Sequence, residues 1–341
     1  MTAFDWSHFA QRAAQAHLQV ELSKPMASHT TYGVGGSAAC AITVSNRRDL
    51  QVVADLVATS EKFPLAVVGR GSNLLIADDG FDGLIVLMAY SPDNDVLDVV
   101  HDDVVAPASM PMPILARRSV AAGRAGLEWC VGIPGTVGGA VRMNAGGHGS
   151  EIVDDLVSAE IVSLMSGKWV TVDSIDLGLH FRGSALAQHH VVVSVRLRTE
   201  AAIGNESAEA LDRVVSWRRE HQPGGRNAGS VFVNPAPGEG SSGALIDASG
   251  LRGLTIGGAQ VSEKHANFIQ ATDSARSADI VAVMRHVQEV VERDHGVRLH
   301  SEVCLLGFGD EVSLQFADAR HHDALREINC VRLAEIMGDP Q

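Results

Sequence analysis

Between Gly132 and Gly149 the chain places seven glycines, in the string Gly132-Ile133-Pro134-Gly135-Thr136-Val137-Gly138-Gly139 and its continuation through Asn144 and Gly146. Glycine loses the most conformational freedom on folding, so it concentrates where backbone must turn with positive φ or come close to something. A run of N–H groups that no Cβ shields is a cradle for pyrophosphate. The segment therefore reads as the seat of a nucleotide cofactor. Ile133, Val137, Val141 and Met143 make it too apolar for a linker. A second string, Gly69-Arg70-Gly71-Ser72-Asn73-Leu74, leaves the end of a short apolar run. It reads as a tight anion-binding nest, with a plain glycine turn as the alternative. Two such nests can clamp a diphosphate from both sides. A third string, Gly33-Val34-Gly35-Gly36-Ser37-Ala38, fits G-x-G-x-x-A. Polar residues precede it and a strand follows it, the reverse of the dinucleotide-binding order, so that reading is rejected.

These loops need rigid elements around them. Residues 3–18 read as an amphipathic helix, 39–44 as a strand, and 48–60 as a helix with Leu50, Val53, Leu56 and Val57 on one face. Residues 65–68, 84–87 and 96–100 read as strands, and 113–122 as a helix with proline near its start. Residues 152–162 and 169–172 form a predicted hairpin, and 191–197 a β-branched strand. The composition turns polar near residues 200–207, which marks a boundary. A helix over 208–220 follows, then a second glycine-rich patch over 228–258. Residues 278–295 carry apolar side chains at helical spacing, with Gly296 as the stop. Residues 297–306 alternate as a strand, and the charged tail holds one helix near 323–337. Helices and strands mix without strict βαβ alternation, which predicts an α+β protein.

Composition excludes several function classes. A net charge of −14 argues against a nucleic-acid binder, although local arginines can still hold an anionic small ligand. Four scattered cysteines without metal spacing read as buried thiols in a reducing compartment. No metal site is expected among the histidines; His148, His189 and His190 read as surface or hydrogen-bonded residues. The N-terminus lacks the apolar core of a signal peptide, and nothing approaches the roughly 18 apolar residues of a membrane span. A soluble, cytoplasmic protein is expected.

Five strings in a fixed order carry a family resemblance: Thr31-Tyr32-Gly33-Val34-Gly35-Gly36; the nest from Gly69 to Leu75; Gly132 to Gly139; Gly229-Ser230-Val231-Phe232-Val233-Asn234-Pro235; and the string from Ile256 to Ile269 containing Ser262-Glu263-Lys264-His265-Ala266-Asn267. The chain resembles flavin-binding proteins of the vanillyl-alcohol-oxidase and para-cresol-methylhydroxylase (PCMH) type. More closely, it resembles the shorter subtype of the UDP-N-acetylenolpyruvoylglucosamine reductase family of bacterial cell-wall synthesis. The resemblance runs from about residue 25 to 308. It implies a two-part PCMH-type FAD-binding domain over 20–200 and a C-terminal α+β substrate-binding domain over 205–308; the N-terminal helix, assigned to 1–19, precedes it, and a tail over 309–341 follows with no role assigned. It implies that NADPH reduces FAD, and that the flavin hydride then reduces the enolpyruvyl ether of UDP-N-acetylglucosamine.

Such a reaction needs a cation for the substrate carboxylate and a proton donor for the α carbon. The resemblance implies three catalytic residues. Ser230 follows a glycine; its hydroxyl is a poor acid in water, but an enediolate carbon is basic enough to take its proton, and its alternative role is a turn residue. Arg182 can hold a carboxylate, or make a surface ion pair. Glu302 shares a predicted strand face with Arg298, His300 and Cys304, and can protonate substrate, orient water or simply be solvated. The resemblance further assigns the cofactor to Tyr32, residues 69–74, residues 132–136, Gly138, Gly139, Asn144 and Gly146, and the substrate to Asn234, Lys264 and His265. Arg218, Arg219 and Arg226 are unranked additional cations. Phe181 stands where relatives usually carry tyrosine, and Val233 where they often carry lysine or arginine. The rival readings are a flavin-linked oxidase of a small alcohol and a non-catalytic flavin-binding regulator.

Overall fold

The computed structural model describes residues 4–236, 238–317 and 324–340. A four-stranded sheet opens the chain, in the order Gln19–Pro25, Ser37–Val44, Phe81–Met88, Leu65–Val68. Only the first pair is antiparallel. Phe81–Met88 lies inside the sheet and is buried along nearly its whole length, as a strand covered on both faces must be. One face packs under the helices Trp6–Gln15 and Arg47–Ala58 through Phe9, Leu50, Val53, Ile42 and Leu84. The side chain of Asn46 caps the second helix by accepting from the Asp49 N–H at 2.9 Å. Gln19–Pro25 escapes a pattern reading because most of its side chains face solvent; pairing with Ser37–Val44 defines it.

The second sheet is antiparallel, in the order Trp169–Asp173, Leu156–Ser163, His190–Arg198, Asp103–Pro107, Asp98–Val100. The predicted hairpin pairs as expected, Ala159 opposite Val172, but its first strand begins four residues late. Ile152–Asp155 is a helical turn, because the Asp154 carboxylate accepts from the Glu151 N–H at 2.8 Å and winds the backbone there. Val104, Ile161 and Val195 of this sheet pack with Leu115, Trp129 and Val137. The helix Glu206–His221 adds Leu211, Val214 and Val215 to the same core.

The third unit is built on the helix Ser277–His295, which Gly296 stops at φ +68 as predicted. Its buried face packs against the short meander Thr255–Ile256, Ala259–Val261, Ile269–Ala271. Residues 297–306 do not form one strand. Leu299 and Val303 are inside, but residues 300–302 are all half-buried and Leu306, on the other parity, is buried; only Cys304–Leu306 forms a strand, in parallel with Leu74–Ile76. Upstream the contacts are single: Glu302 N to the Val231 carbonyl at 2.8 Å and Val233 N to the His300 carbonyl at 2.9 Å. The segment threads between two units, and neither offers it a continuous edge.

That seam fixes the site. Leu74–Ile76 continues directly from the nest at 69–73, so pairing ties the nest to the segment holding Glu302. The tail also crosses units. Asp310–Phe316 buries Phe316 in the third core, while Ala324–Met337 buries Leu333 and Met337 against the antiparallel sheet. The expected tail helix is present from Ala324; Asp323 lies outside the described residues.

Candidate active site

The two glycine strings meet. Ser72 Oγ donates to the Pro134 carbonyl at 3.1 Å. A Cβ on Gly135, where φ is +120, would stand 2.7 Å from Ser72 Oγ, and one on Gly69 would stand 2.5 Å from Thr136 Oγ1. Gly71, at φ +58, passes so close to His29 that a Cβ there would stand 2.0 Å from its carbonyl oxygen. Glycine at 69 and 135 is a steric requirement of two loops packed face to face, and at 71 of the first loop's approach to His29. They line a cavity of about 640 Å³, within the ordinary range for a bound cofactor or ligand.

The same cavity is lined by Arg182, Ser230 and Glu302, which lie far apart in the chain. Arg182 sits at the tip of a tight turn closed by the paired backbones of His180 and Gly183. It is held at φ +58, a conformation costing a non-glycine residue about 1–2 kcal/mol. Its guanidinium donates to Glu151 Oε1 at 3.1 Å and pairs with Glu302 Oε1 at 3.0 Å. These two carboxylates hold it in place. Ser230 precedes Val231, whose carbonyl accepts the Glu302 N–H, so serine and glutamate are carried by paired backbone. Asn73 completes the junction: its Nδ2 donates to the Glu302 carbonyl at 2.9 Å, and its own carbonyl accepts from Cys304 N at 3.0 Å. Burial pushes the Glu302 carboxyl above its usual range, Arg182 opposes that shift, and the negative charge of Glu151 adds to it.

Of the expected cofactor residues, 69–74, 132–136, Gly139 and Gly146 line the cavity, and Tyr32, Gly138 and Asn144 do not. Tyr32 is fully buried in the core beside Ala228 and Phe232. Gly138 allows close packing on Ala108, where a Cβ would approach to 2.9 Å. Asn144 is a buried organiser: Nδ2 donates to Glu151 Oε2 at 3.0 Å and to the His180 carbonyl at 3.1 Å, and Oδ1 accepts from Val153 N at 3.0 Å.

The expected substrate residues Asn234, Lys264 and His265 also lie outside the cavity lining. Asn234 Oδ1 accepts from Ser242 N at 3.1 Å, Lys264 Nζ donates to the Arg219 carbonyl, and His265 Nδ1 accepts from Asn267 N at 3.2 Å. Among the unranked arginines the structure favours Arg218, which lines the cavity; Arg226 pairs with Asp273 instead. Phe181 is 46% exposed beside the Arg182 guanidinium, and Val233 is buried. The cysteines are unpaired, and only Cys40 and Cys130 are buried as expected; Cys304 opens onto the cavity.

Sequence reasoning missed Glu151, Arg142 and Gln188. Glu151 follows the glycine run directly, a carboxylate placed where the chain leaves the cradle. Arg142 lines the cavity with its guanidinium donating to the carbonyls of Leu186, Ala187 and His190.

A cavity walled by two glycine nests beside a cation and a half-buried carboxylate fits a cofactor-dependent enzyme, and comparison gives the class, the flavin-dependent oxidoreductases. The family profile described as FAD binding domain matches residues 38–173. The profile described as UDP-N-acetylenolpyruvoylglucosamine reductase, C-terminal domain, matches residues 221–306. The UDP-N-acetylenolpyruvoylglucosamine reductase of Synechococcus sp. (strain RCC307) is 40% identical over 298 residues, covering 86% of this chain and 95% of that one. That of Gloeobacter violaceus (strain ATCC 29082 / PCC 7421) is 39% identical over 296 residues, covering 85% and 97%. The crystal structure of the reductase from Thermus caldophilus superimposes with a TM-score of 0.72 at 32% identity, over 85% of this chain and 98% of that one. The chain belongs to the UDP-N-acetylenolpyruvoylglucosamine reductase family, with an FAD-binding domain joined to the family's C-terminal domain in an α+β fold.

The residues present fit FAD. Both nests line the cavity with glycine backbone whose N–H groups carry no Cβ beside them. Thr31 lines the cavity with a buried Oγ1 that has no hydrogen-bond partner among the described residues, a polar atom suited to a ligand. Among the described residues no helix is long and apolar enough to cross a membrane.

Proposed function

We propose that the protein is an NADPH-dependent, FAD-linked reductase of the enolpyruvyl ether of UDP-N-acetylglucosamine, yielding UDP-N-acetylmuramate for peptidoglycan in the cytoplasm. Residues 20–200 serve as the flavin-binding part and 205–308 as the substrate-binding part. One observation carries this reading: Arg182, Ser230 and Glu302 line one cavity together with both glycine nests.

FAD, when bound, supplies a hydride to the enol-ether carbon after NADPH has reduced it. The nests at 69–73 and 132–136 offer it unshielded backbone N–H groups. The chain's own residues do the remaining work. Arg182 holds the substrate carboxylate and stabilises charge that develops beside it. Glu302 has a carboxyl raised by burial, so it holds a proton at a higher pH than an exposed glutamate and can keep that proton while donating a hydrogen bond to the developing oxyanion. Ser230 delivers a proton from Oγ to the α carbon. Arg218 lies on the cavity wall, where it can meet a phosphate.

The test is anaerobic. NADPH should bleach the visible flavin band, and the enolpyruvyl sugar nucleotide should restore it. Bleaching without recovery removes the substrate assignment. Absence of bleaching favours an oxidase or a non-catalytic flavoprotein.

A further inference from the structure

The match to the family's C-terminal domain stops at residue 306, and the last helix of the tail beyond it packs against the antiparallel sheet. This helix, Ala324–Met337, lies across both ends of the loop at 174–189, whose tip carries Arg182. At the leading end, Arg332 pairs with Asp176. Gly178, at φ +54, lets the helix come so close that a Cβ would stand 2.7 Å from Asn329 Cβ. Leu333 and Met337 are fully buried in the core that holds Leu177 and Ala185 of the loop.

At the returning end, the Asp339 carboxylate accepts from His189 Nε2 at 2.9 Å, His190 Nε2 at 2.6 Å and Ser163 Oγ. Two further bonds fix the helix end to the hairpin beneath the loop: Lys168 Nζ to the Ile336 carbonyl at 2.6 Å and Ser166 Oγ to the Met337 carbonyl at 2.7 Å.

His189, His190 and Asp339 form the kind of group that can hold a metal ion. The hydrogen bonds point elsewhere. His190 Nδ1 accepts from Ala187 N at 3.1 Å, so Nε2 carries the proton and donates it to Asp339. Two donors on one carboxylate oxygen make a clasp. Burial works against the Asp339 charge, but the bonds from His189, His190 and Ser163 outweigh it and hold the carboxyl below its usual range. Burial lowers His190, against the pull of Asp339, while His189 and Arg142 add to the lowering. A depressed carboxyl contributes stability above its unfolded value, about 3.9, and loses it as pH falls through the folded one. The clasp therefore stays closed at neutral pH.

The returning limb reaches the cavity. Gln188, next to His189, lines it, and Arg142 lines it while bonding the carbonyls of Leu186, Ala187 and His190. We propose that residues 324–340 form a brace that holds the 174–189 loop, and through it Arg182, in the conformation that meets the substrate carboxylate. Residues Asp339 and Arg332 are positioning residues. The proposal rests on the reductase reading of the cavity.

The experiment uses the full chain with FAD bound and two variants, Asp339→Ala and Arg332→Asp. Flavin bleaching by NADPH should stay within about twofold of the parent, which also reports that the protein is folded. Recovery with the enolpyruvyl substrate should slow about tenfold, mainly through a raised KM. Adding Asp176→Arg to Arg332→Asp should restore recovery by reversing the ion pair. Amide exchange should rise across 174–189 in both single variants. Faster exchange in 324–340 with unchanged exchange in 174–189 overturns the brace, and so does equal slowing of both half-reactions. If the parent itself does not recover with substrate, the reductase reading fails, and the exchange of residues 174–189 still decides whether the tail braces the loop.

Discussion

The cradle and the proposed catalytic wall line one cavity and are built by opposite means. The cradle is two short contiguous strings whose shape depends on missing side chains, with Gly69, Gly71 and Gly135 each filling a place where a Cβ would collide. The wall is three side chains from distant segments, held by an ion pair and by bonds such as that of Asn73 to the Glu302 carbonyl. A sterically made site tolerates no addition. An electrostatically made site tolerates no loss of a partner. Changes in the cradle should therefore damage everything downstream of FAD binding, and changes in the wall should leave FAD in place and spoil one half-reaction.

Ser230→Ala separates the two most sharply. Flavin reduction by NADPH should be nearly intact, and recovery with substrate should fall by about 10²–10⁴-fold, the usual contribution of a positioned proton donor. Rapid-mixing absorbance reads both steps. Equal slowing of both halves removes serine from the proton-donor role and places it in the cradle's class.

Gly71→Ala attacks the other side. A methyl group must fit beside the His29 carbonyl at a positive φ. Strain and overpacking together amount to about 2–4 kcal/mol. Titration of the apoprotein should show FAD affinity or thermal stability reduced by that order, with both half-reactions lost in proportion to bound flavin. Unaltered FAD binding with a selective loss of recovery contradicts the division between cradle and wall.

Glu302→Gln should have a smaller effect, and pH shows it best. The raised carboxyl must hold a proton to donate a hydrogen bond to the developing oxyanion. Its protonated fraction falls as pH rises through the raised pKa, so the recovery rate should decline on the alkaline side. The glutamine variant should be slower by about tenfold or more at neutral pH and lack that limb. A limb that persists unchanged belongs to another group.

The cradle was legible in the sequence because its signal is local. Glycines clustered in an apolar context serve mainly to bring backbone close to a ligand or to another loop, and their spacing survives folding. The long helix with its glycine stop was legible for the same reason, since Ile280, Val283, Met284 and Val287 repeat on one face. The wall was not readable from pattern. Ser230, Arg182 and Glu302 each had an ordinary alternative, and only the family resemblance singled them out. The alternation over 297–306 placed Leu299 and Val303 inside but missed Leu306 and the pairing, because pairing depends on the edges that other segments present. Asn234, Lys264 and His265 sit in family strings, yet in this structure their side chains bond nearby backbone away from the cavity. The tail clasp joins Ser163, His189, His190 and Asp339 over a separation that no local pattern encodes.

Glu151 links the two regions and gives the subtlest test. It leaves the glycine-rich run, and its carboxylate is shared between Asn144 Nδ2 and Arg182. Its charge also disfavours ionisation of Glu302. Glu151→Gln keeps an acceptor oxygen and removes that charge. The Arg182–Glu302 pair remains, so recovery should slow only about tenfold, with FAD affinity unchanged. With less negative charge nearby, the Glu302 carboxyl should ionise more readily, and the alkaline limb of the recovery profile should move to lower pH. A role confined to supporting the loop would lower the rate at every pH and leave the limb where it was. Measuring the limb in parent, Glu151→Gln and the Glu302→Gln control thus decides whether Glu151 acts on the wall through charge or merely carries the turn beneath it.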